Sequence, residues 1–246
     1  EFLDALLQYD GCGNSLLVNG CPSCQLPGLS GMYRCIECFN HQILCKDCCV
    51  LQHEHLPLHH INVWNGDFFE CTTLATMGLK IYLGHTDCLM RKSPASFTII
   101  HTNGIHHVDV VFCGCATIHQ PQMCATFVIF NHFHLQMLQS KLLANHFIAA
   151  IERETDNTGL VSIKDRYISF LQMTCEWCHL MLLKRAGHGH NVSGVKGTQL
   201  GELAVLCPAC PHPRINLPSN WESRPSVDQF LYHLHLATDA NFRLKN

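Results

Sequence analysis

Between Cys21 and His60 the chain places three Cys-x-x-Cys pairs, Cys21/Cys24, Cys35/Cys38 and Cys45/Cys48, and then His53, His55, His59 and His60. A Cys-x-x-Cys turn sets two sulfurs at two corners of a metal tetrahedron, and a nearby pair of histidines closes a site. Six cysteines and two histidines supply eight ligands, enough for two closed zinc sites. With 17 Cys in 246 residues, random placement yields roughly one such pair in the whole chain; here three fall in one window. A disulfide framework fits badly. The Cys count is odd, and the N-terminus shows no basic region followed by an apolar run and a cleavage site.

Ligand order suggests how the sites divide. Where pairs alternate along a chain, the first and third often share one metal while the second joins the histidines. That assigns Cys21, Cys24, Cys45 and Cys48 to one zinc, and Cys35, Cys38, His53 and His59 to the other, with His55 and His60 as substitutes. Such interleaving ties the ends of a short segment together, and metal binding supplies on the order of 10 kcal/mol of folding free energy per site. The stretch from Tyr33 to Cys38 and on through Leu44 to Cys48 resembles the centre of a ZZ-type or B-box-type zinc module.

Composition sets the remaining limits. Hydrophobic residues make up 47% and charged residues 14%, which argues for a packed chain rather than disorder. No apolar run reaches the ~20 residues of a membrane span. The formal charge of −3 creates no global positive field towards nucleic acid. A chain that starts at Glu1 and stops after Arg243-Leu-Lys-Asn246 reads as a fragment of something longer.

The expected fold class is α+β: a zinc-stapled cross-brace module, then a hairpin-plus-helices domain. Residues 1–20 read as an amphipathic helix that breaks at Gly11, and 21–66 as the zinc-binding cysteine cluster. Residues 67–125 are β-rich, with a hairpin over 97–113 turning at Asn103-Gly104, a favoured pair for a tight type I′ turn. Thr126 to Glu154 follows helical spacing, and a second helix spans Lys164 to Arg185 within a helical segment 126–230. The Gly-rich stretch 187–201 reads as a loop, and Pro208, Pro211, Pro213 and Pro218 preclude regular structure around the Cys207-Pro-Ala-Cys210 knuckle.

Two further groups attract a chemical reading. Cys113 and Cys115, at the end of a hairpin strand, would complement Cys207 and Cys210 in a third zinc site closing a long loop. Cys175 and Cys178 share a helix face near His188 and His190, but core thiols beside Trp177 and Leu180 are the simpler explanation. Cys12, Cys49, Cys71, Cys88 and Cys124 have no evident partners. Lys184, Arg185, His188, His190 and Lys196 form the one local basic patch, suited to a phosphate backbone or to a solvated helix end. No nucleophile–base arrangement and no phosphate-binding Gly motif stands out.

Several phrases, in order, resemble one family. They are Tyr33-Arg-Cys-Ile-Glu-Cys38, Cys45-Lys-Asp-Cys-Cys49, Pro57-Leu-His59, Trp64-Asn-Gly66, Phe112-Cys-Gly-Cys115 and Glu154-Thr-Asp-Asn-Thr-Gly159. Lys184-Arg-Ala-Gly187, Gly201-Glu-Leu-Ala-Val-Leu-Cys-Pro-Ala-Cys-Pro211 and Asp239-Ala-Asn-Phe-Arg-Leu-Lys245 follow. Together they are similar to the N-terminal part of a KDZ (Kyakuja–Dileera–Zisupton) transposase of mushroom-forming fungi, with its CxC2-type cysteine cluster at 21–66.

The resemblance implies a nuclear protein of a transposable element, with transposon DNA or a chromatin protein as partner and neither a membrane nor a small-molecule substrate. It implies an RNase H-like core, starting within 231–246, that uses three carboxylates and Mg2+ or Mn2+ in the complete parent enzyme. Asp239 matches the first carboxylate; the others would lie past Asn246, so this chain alone should lack transposase activity. The sequence departs from the family between Cys115 and Gln122, where a longer stretch is expected. The alternative is a ZZ- or B-box-like chromatin or peptide reader with no direct DNA contact.

Overall fold

The computed structural model describes residues 1–12, 20–26, 32–85, 92–115, 121–159 and 162–235. It divides into two compact units, Glu1–Trp177 and Cys178–Asn246. The first is a mixed α+β body that contains the whole cysteine ladder.

Its first helix, α1 (Phe2–Asp10), ends where expected, at Gly11. It leaves Phe2, Leu3, Leu6 and Leu7 exposed and is held through one contact zone. There the buried Arg34 guanidinium lies 4.7 Å over the Tyr9 ring and 3.9 Å over the Phe69 ring, and donates to the Tyr9 carbonyl.

The ladder is built on a three-stranded antiparallel sheet and one short helix. Strands β1 (Tyr33–Cys35), β2 (Ile61–Trp64) and β3 (Phe69–Thr72) run in that order. The helix α2 (Lys46–Gln52) begins immediately after Cys45. The expected turn at Asn65-Gly66 joins β2 to β3: Gly66 has φ +115°, and the Asn65 side-chain oxygen accepts from the Asp67 and Phe68 amides, both at 3.0 Å. The core beneath is small. Cys21, Cys35, Cys45 and Cys49 bury with Leu44, Ile61, Leu74, Met77 and Leu79, so nearly half of it is cysteine.

A second sheet follows the ladder, with order β4–β6–β5–β7. It comprises β4 (Lys80–Leu83), β5 (Ala95–His101), β6 (Gly104–Phe112) and β7 (Met123–Ala125). The hairpin β5–β6 is antiparallel, whereas β4 joins β6 and β7 joins β5 in parallel. Val108 and Val110 alternate inward as the pattern predicts, with Phe97 opposite.

The hairpin turn differs from expectation by one residue. His101 pairs with Gly104, so the two loop residues are Thr102 and Asn103, not Asn103 and Gly104. The Asn103 side chain is committed elsewhere, donating to the Leu58 carbonyl (2.9 Å) and Glu37 Oε1 (3.1 Å) and accepting from His106 Nε2 (2.8 Å). Gly104 keeps φ +139°, and a Cβ there would stand 3.1 Å from Thr155 Oγ1. Glycine is therefore required both for the backbone and for the approach of the neighbouring helix.

The helical expectation over Thr126 to Glu154 is corrected: two helices replace one. α3 (Phe127–Ser140) stops at Lys141 in the left-handed region (φ 54°, ψ 33°), and α4 (Ala144–Thr155) restarts from Leu143. Packing decides the break. Phe133 meets Phe147 across it at 5.0 Å between ring centroids, and both rings surround Phe170 of α5 (Tyr167–Arg185), at 5.5 and 5.6 Å. Phe130 stacks on Phe170 and Trp177 as well, closing an aromatic core. α5 starts at Tyr167 rather than Lys164, because Asp165 accepts from the Tyr167 amide and caps it. Cys175 and Leu180 are exposed, so only Trp177 of the expected core face is buried.

In the second unit the loop and Pro-rich stretches hold short 3-10 turns at His188–His190, Gly194–Gly197, Trp221–Ser223 and Gln229–Tyr232. Cys207 to Cys210 forms a tight turn closed by the Cys210 amide on the Cys207 carbonyl at 3.1 Å.

Candidate metal centres

The structure brings the ladder residues into two groups of four, interleaved along the chain. Cys21, Cys24, Cys45 and Cys48 form one and Cys35, Cys38, His53 and His59 the other, with the ligand atoms of each group within 4.8 Å of one another. Both groups could hold a metal ion. His55 is exposed and His60 turns away to Glu37, so neither substitutes for the two histidines gathered.

Local structure explains the gathering. Cys45 caps the N-terminal end of α2 and His53 its C-terminal end. One helix thus serves both groups, separated by about 12 Å of helical rise. Strand pairing positions the rest: Cys35 lies opposite Ile61, and the Ile36 amide donates to the His60 carbonyl at 3.2 Å. That register lays His59, two residues before Ile61, beside the Cys35/Cys38 turn.

The distances suit a tetrahedral ion. Sulfurs at ~2.3 Å and imidazole nitrogens at ~2.05 Å from zinc stand about 3.8 Å (S to S) and about 3.5 Å (S to N) apart at the tetrahedral angle. Cys24 Sγ lies 3.9 Å from Cys45 Sγ, and His59 Nδ1 is 3.4 and 3.5 Å from Cys35 and Cys38 Sγ. His53 Nε2 lies 3.4 Å from Cys38 Sγ. None of the six ladder cysteines is in a disulfide. The Cys45 amide donates to Cys21 Sγ and the Cys38 amide to Cys35 Sγ, both at 3.3 Å, which favours thiolate at those sulfurs.

Orientation and charge agree. His53 Nδ1 is 2.8 Å from the Cys49 carbonyl, a bond that requires the proton on Nδ1 and leaves the Nε2 lone pair facing the thiols. Burial lowers the His59 pKa, keeping that ring neutral as a ligand must be. Burial also raises Cys21, but the amides of Cys45, Cys24 and Ser23 outweigh it and bring the thiol down to about 6. Burial pushes Cys45 up to about 12, and its neighbours Cys48, Cys21 and Cys24 add to the rise. Four thiols this close cannot all ionise without a cation, and a dication removes that obstacle. In the second group hydrogen bonds to the Cys35 and Cys49 sulfurs outweigh burial and draw His53 up to about 11, so a metal would have to displace a proton from Nε2 before that lone pair could bind it.

Other candidate residues fall differently. Cys113 and Cys115 stand with His85, whose Nδ1 is 3.6 Å from Cys113 Sγ and Nε2 3.8 Å from Cys115 Sγ. His85 was not legible as a partner from spacing, because the parallel pairing of β4 with β6 delivers it from 28 residues upstream. Cys207 and Cys210, expected with Cys113 and Cys115, belong to the second unit. His188 of the basic patch is buried, its Nε2 3.4 Å from a Glu202 carboxylate oxygen, which withdraws it from any phosphate-binding surface. Cys88 and Asp239 lie outside the described residues.

One polar network links the ladder to the second sheet. Glu37 Oε1 pairs with His60 Nδ1 at 2.5 Å and accepts from Asn103, and Glu37 Oε2 accepts from the His60 amide at 2.8 Å. Burial raises the Glu37 carboxyl, but His60 and Asn103 together hold it below its ordinary value. Behind this network a cavity of about 270 Å³ opens among His59, His106, Leu74, Ile105, Val108 and Thr155.

Comparison with known proteins adds a family to this geometry. Residues 74–159 match the CxC2 like cysteine cluster associated with KDZ transposases. The CxC2-like segment therefore begins at Leu74, a core residue of the ladder, and takes in the second sheet, α3, α4 and the His85, Cys113 and Cys115 group. The eight ladder ligands precede it, so the matched segment lies after the 21–66 stretch expected to be the cluster. No curated protein and no solved structure matches the chain. Among the described residues no helix is long and apolar enough to cross a membrane.

Proposed function

We propose that this chain is the zinc-binding accessory region of a KDZ-type transposase, a metal-stapled docking module that is catalytically incomplete by itself. The observation that carries the reading is the pair of interleaved four-ligand groups, at tetrahedral edge lengths, packed directly onto a CxC2-like segment. Thiolate and imidazole donors select zinc over magnesium or calcium. Four protein ligands close each site, so the metals hold structure and activate no water. The interleaved pattern supports a ZZ- or B-box-like cross-brace. By the resemblance, Asp239 matches the first carboxylate of an RNase H-like core that would start within 231–246, and one carboxylate cannot hold the two metal ions that phosphodiester transfer uses.

Charge divides the docking role. Residues 1–177 carry 15 Asp and Glu against nine Lys and Arg, whereas residues 178–246 carry four against seven. Contact with transposon DNA in the nucleus therefore belongs to the second unit. The ladder suits a protein partner: Phe39, fully exposed just after Cys38, and Leu51 on α2 present apolar surface beside the metal groups. The acidic balance of residues 1–177 favours, for the ladder alone, the second reading of a chromatin or peptide reader with basic ligands.

Native mass spectrometry of the intact chain tests the metal reading: zinc bound to both ladder groups is expected, and a metal-free chain that is nonetheless folded refutes it. A gel-shift series with transposon-end DNA tests the rest. Binding that weakens steeply between 50 and 200 mM salt supports DNA docking; no binding at any salt leaves the reader as the surviving function.

A further inference from the structure

We propose that the cavity behind the Glu37, His60 and Asn103 network is an anchor pocket for one apolar side chain of a basic peptide. The proposal deepens the peptide-reader reading of residues 1–177 and rests on it.

The first unit supplies every wall. The ladder, the end of β3, the strand β6 and the end of α4 meet around about 270 Å³ of space. Leu74, Ala75, Ile105, Val108 and Ile163 make most of the lining apolar. Polar side chains on the lining are committed within the protein. His106 Nε2 donates to Asn103 at 2.8 Å, and Thr72 Oγ1 lies 3.1 Å from Thr76 Oγ1. The Thr155 hydroxyl donates to the Ile151 carbonyl and accepts from the Ile105 amide, both at 2.8 Å. A water inside finds few partners there, whereas an apolar group forfeits no hydrogen bond by entering.

Size and charge decide what enters. Pockets that enclose a whole small-molecule ligand run to roughly 300–1,000 Å³. This one falls just short and suits a single large side chain held from outside. Cys71 and Thr72 of the lining belong to β3, which among the described residues pairs only with β2. Its other edge offers backbone N–H and C=O groups along which an extended peptide can lie, with alternate side chains turned to one face. Among the described residues Asp156 lines the cavity and no Lys or Arg does. The sequence neighbours of the lining residues add Glu70, Asp109 and Glu154 against Lys164 alone. A partner with Lys or Arg on either side of its apolar anchor complements that field.

Fluorescence anisotropy on the intact, zinc-loaded chain tests the pocket, with labelled peptides Lys-Arg-Gly-X-Gly-Arg-Lys carrying every residue type at X. Leu, Ile or Met at X should bind, and Gly at X should weaken binding roughly ten- to hundredfold, the worth of one buried side chain of that size. Glu in place of the flanking cations should abolish binding. Ala75→Phe, which fills the cavity, should weaken the Leu peptide roughly tenfold or more at unchanged zinc content. In the unmodified chain the bound Leu peptide should slow alkylation of the exposed Cys71 by iodoacetamide, and that footprint decides should the variant not fold. Binding that is indifferent to X, or that leaves Ala75→Phe or Cys71 alkylation unchanged, overturns the pocket and keeps the reader reading. No binding by any of these peptides removes both, and zinc content measured on the same samples keeps the metal reading separate.

Discussion

Asn103→Ala should loosen the ladder from the second sheet without touching a metal ligand. The Asn103 amide donates to the Leu58 carbonyl and to Glu37, and its oxygen accepts from His106. Each neutral bond contributes about 1 kcal/mol net and the bond to a carboxylate about 2. Glu37 and His60 are partly exposed, with side-chain accessibilities of 25% and 33%, so water replaces some of the loss. A net cost of about 3 kcal/mol remains, which in a unit of this size lowers the midpoint of thermal unfolding by about 6–12 °C. The assay is calorimetry on the zinc-loaded chain, with metal content measured on the same sample. The expected result is the same zinc count at a lower midpoint. A midpoint within 2 °C of the parent would show that the hairpin turn does not hold the ladder, and lost zinc would show that the network orients the ligands themselves.

Three further outcomes follow from the packing. Phe170→Ala removes the ring that Phe130, Phe133 and Phe147 surround and should cost about 3–5 kcal/mol in urea denaturation while leaving the zinc count unchanged. Gly104→Ala, which meets Thr155 and a backbone at φ +139°, should destabilise by about 1–3 kcal/mol; an unaffected midpoint would mean that the turn relaxes freely. Burial, with His60 and His101 nearby, lowers His106 to about 4. The unfolded chain therefore binds a proton there first, and stability falls as pH drops from 6.5 towards 4, by on the order of 1 kcal/mol per unit. In His106→Gln that part of the slope should vanish between pH 6.5 and 5.5, at constant zinc content; an unchanged slope would place the proton elsewhere.

The ladder was legible because its chemistry is local. A Cys-x-x-Cys turn is short enough that spacing alone announces two ligands, and the order of pairs sufficed to assign Cys21, Cys24, Cys45 and Cys48 to one group and Cys35 and Cys38 to the other. The apolar spacing over Thr126 to Glu154 ran past the end of α3 and did not mark its buried face: Leu135 and Leu138 are exposed, while Ile129, Phe130 and Phe133 face the core. A 3.6-residue pattern records which side chains are apolar, not where the backbone must fold back to stack Phe133 on Phe147. The hairpin signal likewise located the turn but missed its register by one, because Asn103 answers to Glu37 and Leu58, distant in sequence.

By itself the sequence determined the α+β character and the two interleaved ligand groups, since each rests on residue types at short separation. Tertiary structure alone decided that the ladder shares its core with Leu74, Met77 and Leu79 of the following segment. It alone decided that His85, rather than a residue near in sequence, meets Cys113 and Cys115. The physical reason is the same in both cases. Parallel strand pairing and core burial join positions separated by loops whose closure leaves no trace in local spacing, and one glycine, Gly84, marks where the ends of β4 and β6 must nearly touch.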